Sequence, residues 1–246
     1  MGAAIRDIAG MTLASSHLLV FGGSSGIGLG IARHALARGA TVTLASRSAA
    51  RLTAAATALD AGDRVTTAAV DVTDEPAVRD LVTRRPVDHI VQSTFDGDYA
   101  PIRAMELGNA RRVIESKLIG LLLLAKHAGL PPHGSLTVVS GVAADRPMPG
   151  GSVVCAVNGA LHAVVRALAL ELAPCRVNAL SPGWVDTPAW DRFGDVKSRL
   201  HAEHARSIPA GRVGHVDDLA HAAIYLLENR FTTGEVLHVD GGSRFA

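Results

Sequence analysis

A glycine-rich segment near the amino end of the chain has the residue types and spacing of a nucleotide phosphate site. It runs from Gly22 to Gly28, between a short apolar run at 18–21 and a helical pattern at 27–38. Backbone without β-carbons can approach a pyrophosphate closely, and the first turn of a helix offers it N–H groups and positive potential. The segment therefore predicts a dinucleotide site. The predicted contacts are Gly22, Ser24, Ser25, Ile27 and Gly28.

The same letters fit a second chemistry, because Gly22, Ser24 and Gly26 also match the G-x-S-x-G turn that carries the nucleophile of many hydrolases. That turn usually lies in the middle of a sheet and needs an Asp and a His from later loops. No clear Asp and His pair follows here, and the segment comes directly after the first predicted strand. We therefore favour a dinucleotide site over a nucleophilic Ser24.

The end of the second predicted strand indicates which dinucleotide is bound. An acid that binds the ribose 2′-hydroxyl of NAD normally closes this strand, about twenty residues after the glycines. Here the strand closes with Ser46 and Arg47 and carries no carboxylate. A guanidinium matches a 2′-phosphate in charge and in fork geometry. Ser46 and Arg47 therefore predict NADP(H) as the cofactor.

Strand and helix patterns alternate along the chain, and this alternation determines how these residues are positioned. The predicted strands are at 18–21, 41–45, 65–70, 89–91, 135–140, 176–180 and 236–239. They are apolar on both faces, which is typical of a parallel sheet covered by helices on both sides. We expect an α/β fold with a Rossmann-like, doubly wound, seven-stranded parallel sheet. It would form one domain over 11–246, after a loose tail at 1–10.

The composition argues against several other classes of function. The 246 residues carry a net charge of +1, and aromatic residues make up only 4%. We expect no nucleic-acid partner, because phosphate recognition needs a dense basic surface and base stacking needs rings. We expect no membrane partner, because the longest apolar run, 119–125, is too short to span a bilayer and no secretory signal is visible. Cys155 and Cys175 are too few for a disulfide framework or a zinc site, which favours a cytoplasmic, metal-free protein.

Several further motifs follow the glycine segment in a fixed order. They are Asp71-Val72-Thr73-Asp74, the segment from Arg176 to Gly183, and Gly234 with Val239-Asp240-Gly241-Gly242. Each motif alone is modest, but together they are specific. With them the sequence resembles the short-chain dehydrogenase/reductase family over nearly its whole length from Met11.

The resemblance implies further contacts to the cofactor. The implied residues are Asp71, Val72, Ser93, Pro182, Gly183, Val185 and Thr187. The first two would contact the adenine, and the last two would hold the nicotinamide carboxamide. The stretch 188–209 would be the substrate lid. His201 and His204 in that stretch have no third ligand nearby, so they are interpreted as a solvated helix face and not as a metal site.

The same resemblance implies that the catalytic residues of the family are replaced in this chain. The family carries Tyr-x-x-x-Lys on the helix after the fifth strand, a Ser at the end of that strand and an Asn on the preceding helix. In this sequence Val154 stands at the Tyr position and Asn158 at the Lys position. Gly141 takes the place of the Ser, and Lys117 takes the place of the Asn.

Lysine and asparagine have thus exchanged positions, which simple decay would rarely produce. An ammonium group from Lys117 would stabilise charge on a carbonyl oxygen and deliver a proton, and burial would lower its pKa. Asn158 would orient Lys117 or bind a ribose hydroxyl. Ser140 would supply a hydroxyl if the strand breaks at Gly141, since successive strand residues face opposite ways.

Other side chains with reactive groups have simpler interpretations. Tyr99, in the loop after the fourth strand, is a substitute proton donor at the edge where ligands bind. Tyr225, within the apolar helical stretch 222–227, is predicted to be a core residue. Cys155 is interpreted as a small buried hydrophobic residue.

The sequence therefore predicts an NADP(H)-dependent oxidoreductase that reduces a small ketone or aldehyde, its small-molecule partner, in a site led by Lys117. Two alternatives stay open. One is an inactive NADP(H)-binding sensor or scaffold, and the other is a non-redox isomerase or lyase in the same pocket. The apolar helices at 113–128 and 153–172 predict a homodimer or homotetramer, again by resemblance.

Overall fold

A parallel sheet of seven strands forms the centre of the protein in the computed structural model, which describes residues 12–246. The strand order is β3-β2-β1-β4-β5-β6-β9, and every neighbouring pair is parallel. The strands are β1 His17–Phe21, β2 Thr41–Ser46, β3 Val65–Ala69, β4 His89–Gln92, β5 Ser135–Val139, β6 Arg176–Pro182 and β9 Val236–Val239. This confirms the predicted fold. The predicted tail at 1–10 and Met11 lie outside the described residues.

The described chain has eight α-helices, and six of them cover the two faces of this sheet. The eight helices are α1 Gly26–Ala37, α2 Ala49–Leu59, α3 Glu75–Arg84, α4 Leu107–Ile114, α5 Gly120–His127, α6 Ser152–Glu171, α7 Lys197–Ser207 and α8 Val216–Glu228. One hydrophobic cluster joins α1, α2 and α8 to one face, and a second joins α3, α5 and α6 to the other. The sheet is therefore buried between two helical layers, as in other doubly wound folds.

The burial of the strands follows their sequences except at one edge. All five residues of β1 and all four of β4 are buried. In β3, Thr66, Thr67 and Ala69 are exposed, so the prediction that every strand is apolar on both faces is wrong there. The difference arises because β3 is the edge strand of the sheet and helices cover it only in part.

The helix that leads into β5 is longer and less regular than predicted. It begins at Leu107 rather than 113, and the five residues Glu115–Ile119 between α4 and α5 form a π-helical turn. Gly120 starts α5 against the sheet, where a Cβ would lie 2.9 Å from the Val72 side chain. A π turn inside a helix is rare and often marks a functional site.

Helix α6 is long and apolar enough to be considered as a membrane-spanning helix. By length and composition alone it is the one helix of residues 12–246 that meets the criteria for crossing a membrane. Seven of its residues are buried, among them Leu161, Val165 and Leu168 in the core cluster, and the helix packs along β6. A core helix of a doubly wound sheet meets the same criteria, so this finding is weak evidence for a membrane span.

Two further features were not predicted. A short two-stranded sheet pairs β7 Val185–Asp186 with β8 Gly214–His215 and ties the lid region to the start of α8. The core assignment of Tyr225 is wrong, because 47% of this residue is exposed and its hydroxyl hydrogen-bonds to Thr232. Its neighbours Ile224, Leu226 and Leu227 fill the core side of α8.

The strand order indicates where on the sheet a ligand can bind. Connections run in opposite directions from the centre of the sheet, since β1 is followed by β2 on one side and β4 lies on the other. Loops leaving the carboxyl ends of β1 and β4 therefore diverge, and ligands of doubly wound sheets bind in such a crevice. The glycine segment and the segment 93–101 both begin there.

Candidate active site

A cavity of about 1410 Å³ opens at the carboxyl ends of β1, β2, β4, β5 and β6. Pockets for one ligand are usually about 300–1,000 Å³, so this cavity has room for a dinucleotide and a second molecule. All but one of the predicted cofactor contacts line it. The lining residues among them are Gly22, Ser24, Ser25, Ile27, Ser46, Arg47, Asp71, Val72, Ser93, Pro182, Gly183, Val185 and Thr187.

The glycine segment forms a turn packed so closely against other backbone that side chains at Gly22 and Gly28 would collide with it. Gly22 has φ +79°, and a Cβ on it would lie 2.5 Å from the carbonyl oxygen of Ser93. Gly28 is not among the residues that line the cavity. A Cβ on Gly28 would lie 2.4 Å from the carbonyl oxygen of Gly22, so this glycine lets α1 pack beneath the turn.

The first turn of α1 faces the cavity without competing groups of its own. The helix carries no acidic residue in its first turn, and the Ser25 side chain makes no capping hydrogen bond. The N–H groups at a helix start have no partner within the helix and attract anions. This part of the cavity is suited to a pyrophosphate.

An ion pair crosses this part of the cavity. Arg47, at the end of β2, approaches Asp96 in the loop after β4, with 2.5 Å between Nη1 and Oδ2. Because β1 lies between β2 and β4 in the sheet, the pair passes over the carboxyl end of β1, close to the glycine turn. An anionic group that binds Arg47 must therefore compete with the carboxylate of Asp96.

Lys117 lies deep in the same cavity, in the π turn. It is 5% exposed, and its Nζ donates a hydrogen bond of 2.9 Å to the carbonyl oxygen of Ser140. Nζ also lies 5.8 Å from the centroid of the Phe95 ring. Among residues 12–246 no carboxylate forms an ion pair with Lys117. Burial lowers its pKa to about 7, since a buried ammonium loses hydration.

Gln92 and Thr94 hold the backbone around Lys117, and the sequence did not reveal this role. The Gln92 Nε2 atom donates to the carbonyl oxygens of Ser116 and Lys117, at 2.9 and 3.1 Å. The Thr94 hydroxyl donates to the Ser116 oxygen at 2.6 Å. These bonds satisfy carbonyl groups within the π turn and thereby orient it. A polar Gln at the end of the buried strand HIVQ was the available signal.

Asn158 and Gly141 fit together on the opposite side of the site. Asn158, on α6, is 1% exposed and lines the cavity, and its Oδ1 atom has no hydrogen-bond partner in the described structure. A Cβ on Gly141 would lie 2.8 Å from Asn158 Nδ2. No hydrogen bond joins Oδ1 to Lys117, so the predicted orienting contact is not formed. A buried amide oxygen without a partner calls for a donor from a ligand or water.

The Ser140 hydroxyl is hydrogen-bonded to a neighbouring side chain, whereas a catalytic hydroxyl would be directed at the substrate. Strand β5 ends at Val139, and the Ser140 Oγ atom forms a 3.0 Å hydrogen bond with His162 Nε2. Only the main-chain oxygen of Ser140 contacts Lys117. Ser140 therefore lines the cavity, and its contribution is the carbonyl oxygen that holds the Lys117 ammonium.

Comparisons with known proteins place this site in a family. A family model described as Enoyl-(Acyl carrier protein) reductase matches residues 22–244. The chain belongs to the short-chain dehydrogenase/reductase family. The short-chain dehydrogenase/reductase ATR9 of Stachybotrys chlorohalonatus is 30% identical over 94% of this chain and 98% of its own.

Solved structures of short-chain dehydrogenases/reductases share the fold over nearly the whole chain. The MalC Reductase/Diels-Alderase of Malbranchea aurantiaca has a TM-score of 0.87 and 28% identity, covering 98% of both chains. A small-chain dehydrogenase in complex with NADPH has a TM-score of 0.78 and 28% identity, covering 94% of this chain and 100% of its own. Like them, this chain is an oxidoreductase by family.

Two histidines in the lid of this short-chain dehydrogenase/reductase differ from their prediction. His204 stacks on Trp184 with ring centroids 3.6 Å apart, and His201 meets the edge of Trp190 at 5.5 Å. They are therefore part of an aromatic cluster and not a solvated helix face. Among the described residues, no group of three or more His, Cys, Asp or Glu side chains is arranged to hold a metal ion.

The remaining candidates fall into two groups. Tyr99 lines the cavity and is half exposed, and the burial of its inner part raises the pKa of its hydroxyl. Val154 also lines the cavity and is buried. Cys155 is only partly buried, and it is not among the lining residues.

Proposed function

We propose that the protein is an NADPH-dependent reductase of a ketone or aldehyde in which Lys117 is the proton donor. The observation that carries this proposal is a buried lysine for which residues 12–246 provide no counter-ion, in the ligand cavity of a chain from an oxidoreductase family. Placing an ammonium there costs stability, and such groups are found mainly at functional sites. A purely structural lysine would have a carboxylate partner or reach solvent.

The cavity fits a nicotinamide dinucleotide at two independent points. The first turn of α1 faces the cavity without an acidic residue or a side-chain cap, which suits a pyrophosphate. The buried Asn158 oxygen lacks a donor that a ribose hydroxyl supplies. Gly22, Ser24, Ser25, Ser93 and Thr187 line the cavity and would hold the cofactor. A related small-chain dehydrogenase has been solved in complex with NADPH. The bound reduced nicotinamide supplies the hydride.

Lys117 supplies the rest of the chemistry. With a pKa of about 7, part of the population is an ammonium at neutral pH and part an amine. The carbonyl carbon gains a hydride, the C=O double bond becomes a C–O single bond, and Nζ transfers a proton to the oxygen. The product is an alcohol, and Lys117 is left as the neutral amine. A general acid with a pKa near the working pH is suited to this task.

The surroundings of Lys117 support this role. The Ser140 carbonyl fixes Nζ from one side, and Phe95 lies over it from the other. Gly141 leaves space that Asn158 occupies, since a side chain at 141 would collide with the amide. The replacements at 117, 141 and 158 thus fit each other. This favours an active site that has been rearranged over an active site that has been lost.

Cofactor selection is the first prediction. We expect Arg47→Ala to weaken NADPH binding about tenfold to a hundredfold relative to NADH, because charge-assisted bonds are worth about 1.5–3 kcal/mol. We expect Asp96→Asn to strengthen NADPH binding, because it removes the carboxylate that competes for Arg47. Dissociation constants come from nicotinamide fluorescence titrations with both cofactors.

The control for cofactor selection is Arg79→Ala, which removes an exposed guanidinium paired with Asp80 outside the cavity. This variant should bind both cofactors as the parent does. Equal changes in NADPH and NADH affinity in Arg47→Ala would contradict recognition of the 2′-phosphate by this arginine.

The activity is tested by NADPH consumption with a panel of ketones and aldehydes, with product alcohol identified by mass spectrometry. Turnover that depends on Lys117 supports the reductase. Tight NADPH binding with no consumption across the panel contradicts it and favours a cofactor-binding protein without catalysis.

We also propose that the chain forms a homodimer or homotetramer through α5 and α6. Leu122 on α5 is 39% exposed and Leu170 on α6 is 82% exposed, and an apolar surface of this kind is typical of an interface. Sedimentation velocity is expected to give a multiple of 25.5 kDa, and a species of that single mass would contradict the assembly.

A further inference from the structure

The chain has few aromatic residues, and most of them meet at the cavity. The sequence contains five Phe, two Trp and two Tyr. Besides the core residue Phe21, five of these rings line the cavity from loops. They are Phe95, Tyr99, Trp184, Trp190 and Phe193. Both tryptophans of the chain are among them.

Three of these rings form what we call the lid wall: Trp184, Trp190 and Phe193. The ring centroids of Trp184 and Trp190 are 5.0 Å apart, and those of Trp190 and Phe193 are 5.6 Å apart. The Trp190 Nε1 atom donates a 2.9 Å hydrogen bond to the Val185 carbonyl oxygen, and Trp184 stacks on His204. The lid wall is therefore held in place before any ligand binds.

Phe95 and Tyr99 form a second surface, which we call the lysine wall. Their ring centroids are 6.5 Å apart, and Phe95 lies over the Lys117 ammonium at 5.8 Å. Phe95 is 46% exposed and Tyr99 is 47% exposed, and neither ring belongs to a core cluster. Both rings are therefore open to a ligand. A ligand lying on this wall would hold a carbonyl group close to Nζ.

The lid wall and the lysine wall favour flat, rigid ligands over flexible linear ones. Aromatic rings gain most from offset stacking or edge contact with other rings, which adds to the gain from their buried area. A rigid ring system also loses less conformational entropy on binding than a flexible acyl chain. Half-exposed rings on the lysine wall and a fixed lid wall are thus better matched to a flat ligand than to a linear one.

We propose that the carbonyl substrate is a planar aromatic ketone, bound against the lid wall and the lysine wall with its oxygen beside Lys117. This inference rests on the proposed reductase function and narrows its substrate class. The family model is described by an acyl-carrier-protein substrate, so a linear acyl compound is the competing class.

Binding is measured through the two tryptophans, which are both in the lid wall, so their fluorescence reports on the cavity. Three ketones of equal carbon number are compared in the presence of NADP⁺, which prevents reduction. They are α-tetralone, its saturated analogue α-decalone, and linear methyl octyl ketone. We expect α-tetralone to bind about tenfold more tightly than the other two, a ratio equivalent to about one or two ring contacts.

Two variants and one control, all of which keep both tryptophans, show which rings are responsible for the preference for α-tetralone. Phe95→Leu and Phe193→Leu should each lower α-tetralone affinity about fivefold and leave α-decalone affinity unchanged. Phe231→Leu is the matched control, because this ring is 100% exposed and lies outside the cavity lining. It should change neither affinity.

The outcomes separate this inference from the reductase itself. Equal binding of the three ketones, or an unchanged ratio in both cavity variants, overturns the aromatic substrate class even if another ketone is reduced. Selective, Phe95-dependent binding of α-tetralone without NADPH consumption supports the aromatic site and overturns the reductase. Selective binding with NADPH-dependent reduction supports both.

Discussion

Replacing Lys117 by methionine is expected to abolish carbonyl reduction and to make the protein more stable. Loss of a positioned proton donor typically lowers turnover about 10²–10⁴-fold. The same change removes a charge that is 5% exposed and has no ion-pair partner within residues 12–246, and methionine fills a similar volume. Replacing buried ion pairs with apolar side chains often stabilises proteins by about 1–4 kcal/mol, and a buried charge without a partner is at least as costly.

The stability gain should depend on pH in a defined direction. The pKa of Lys117 is about 7 in the folded protein, and that of a lysine in an unfolded chain is about 10.4. Between these values the unfolded chain binds more protons, so the free energy of unfolding of the parent rises with pH through this window. Below about pH 7 the parent carries the full cost of the buried ammonium. The advantage of Lys117→Met is therefore largest at neutral pH and below, and it fades towards pH 10.

Activity should depend on pH in the same window. Only the ammonium form of Lys117 donates a proton, so kcat/KM for reduction should fall as the pH rises through about 7. Urea unfolding and initial rates over a pH series measure both effects. The matched control is Lys126→Met, because Lys126 is 62% exposed and paired with Glu75. This variant should change neither quantity appreciably.

The possible results of the lysine experiment point to different conclusions. Retained turnover in Lys117→Met would show that another group donates the proton, and Tyr99, which also lines the cavity, is the next candidate. A less stable and inactive variant would indicate that the 2.9 Å bond from Nζ to Ser140 mainly supports the fold.

Features that depend on neighbouring residues in the chain were predictable from the sequence. The glycine turn follows from conformations and close approaches that only glycine allows, as the φ of Gly22 shows. The central strands follow from short apolar runs, and β1, β4 and β5 are buried throughout. In both cases the residue type itself carries the structural requirement.

Features that depend on tertiary packing were not predictable in this way. The π turn at Lys117 is held by Gln92 and Thr94, more than twenty residues earlier in the chain. The Ser140 hydroxyl turns to His162 because α6 brings that ring beside the end of β5. An apolar stretch in α8 did not reveal that Tyr225 lies on its outer side. Residue type indicates which chemistry is available, and only the packing shows which partner each group has.

Substituting Gly28 by alanine is expected to be among the most damaging single changes in the chain. The new Cβ would lie 2.4 Å from the carbonyl oxygen and 2.9 Å from the carbonyl carbon of Gly22, and 3.3 Å from the amide nitrogen of Gly23. These atoms are backbone, and they form the turn proposed to hold the pyrophosphate. Relief requires α1 to move away from the sheet, where Ile31 and Ala35 are fully buried. Overpacking typically costs about 1–3 kcal/mol and occasionally more.

A second glycine isolates the steric part of this effect. Gly108 is also helical, at the exposed start of α4, and a Cβ there would meet only the Arg112 side chain, at 3.9 Å. Gly108→Ala should stabilise the protein by up to about 1 kcal/mol, since alanine favours helices. Gly28→Ala carries the same propensity gain, so its loss of stability reports the collision beneath the turn. NADPH affinity should fall with it, because the displaced atoms belong to the cofactor turn. If urea unfolding and NADPH titration show the two alanine variants behaving alike, Gly28 does not support the turn in the way the close approach implies.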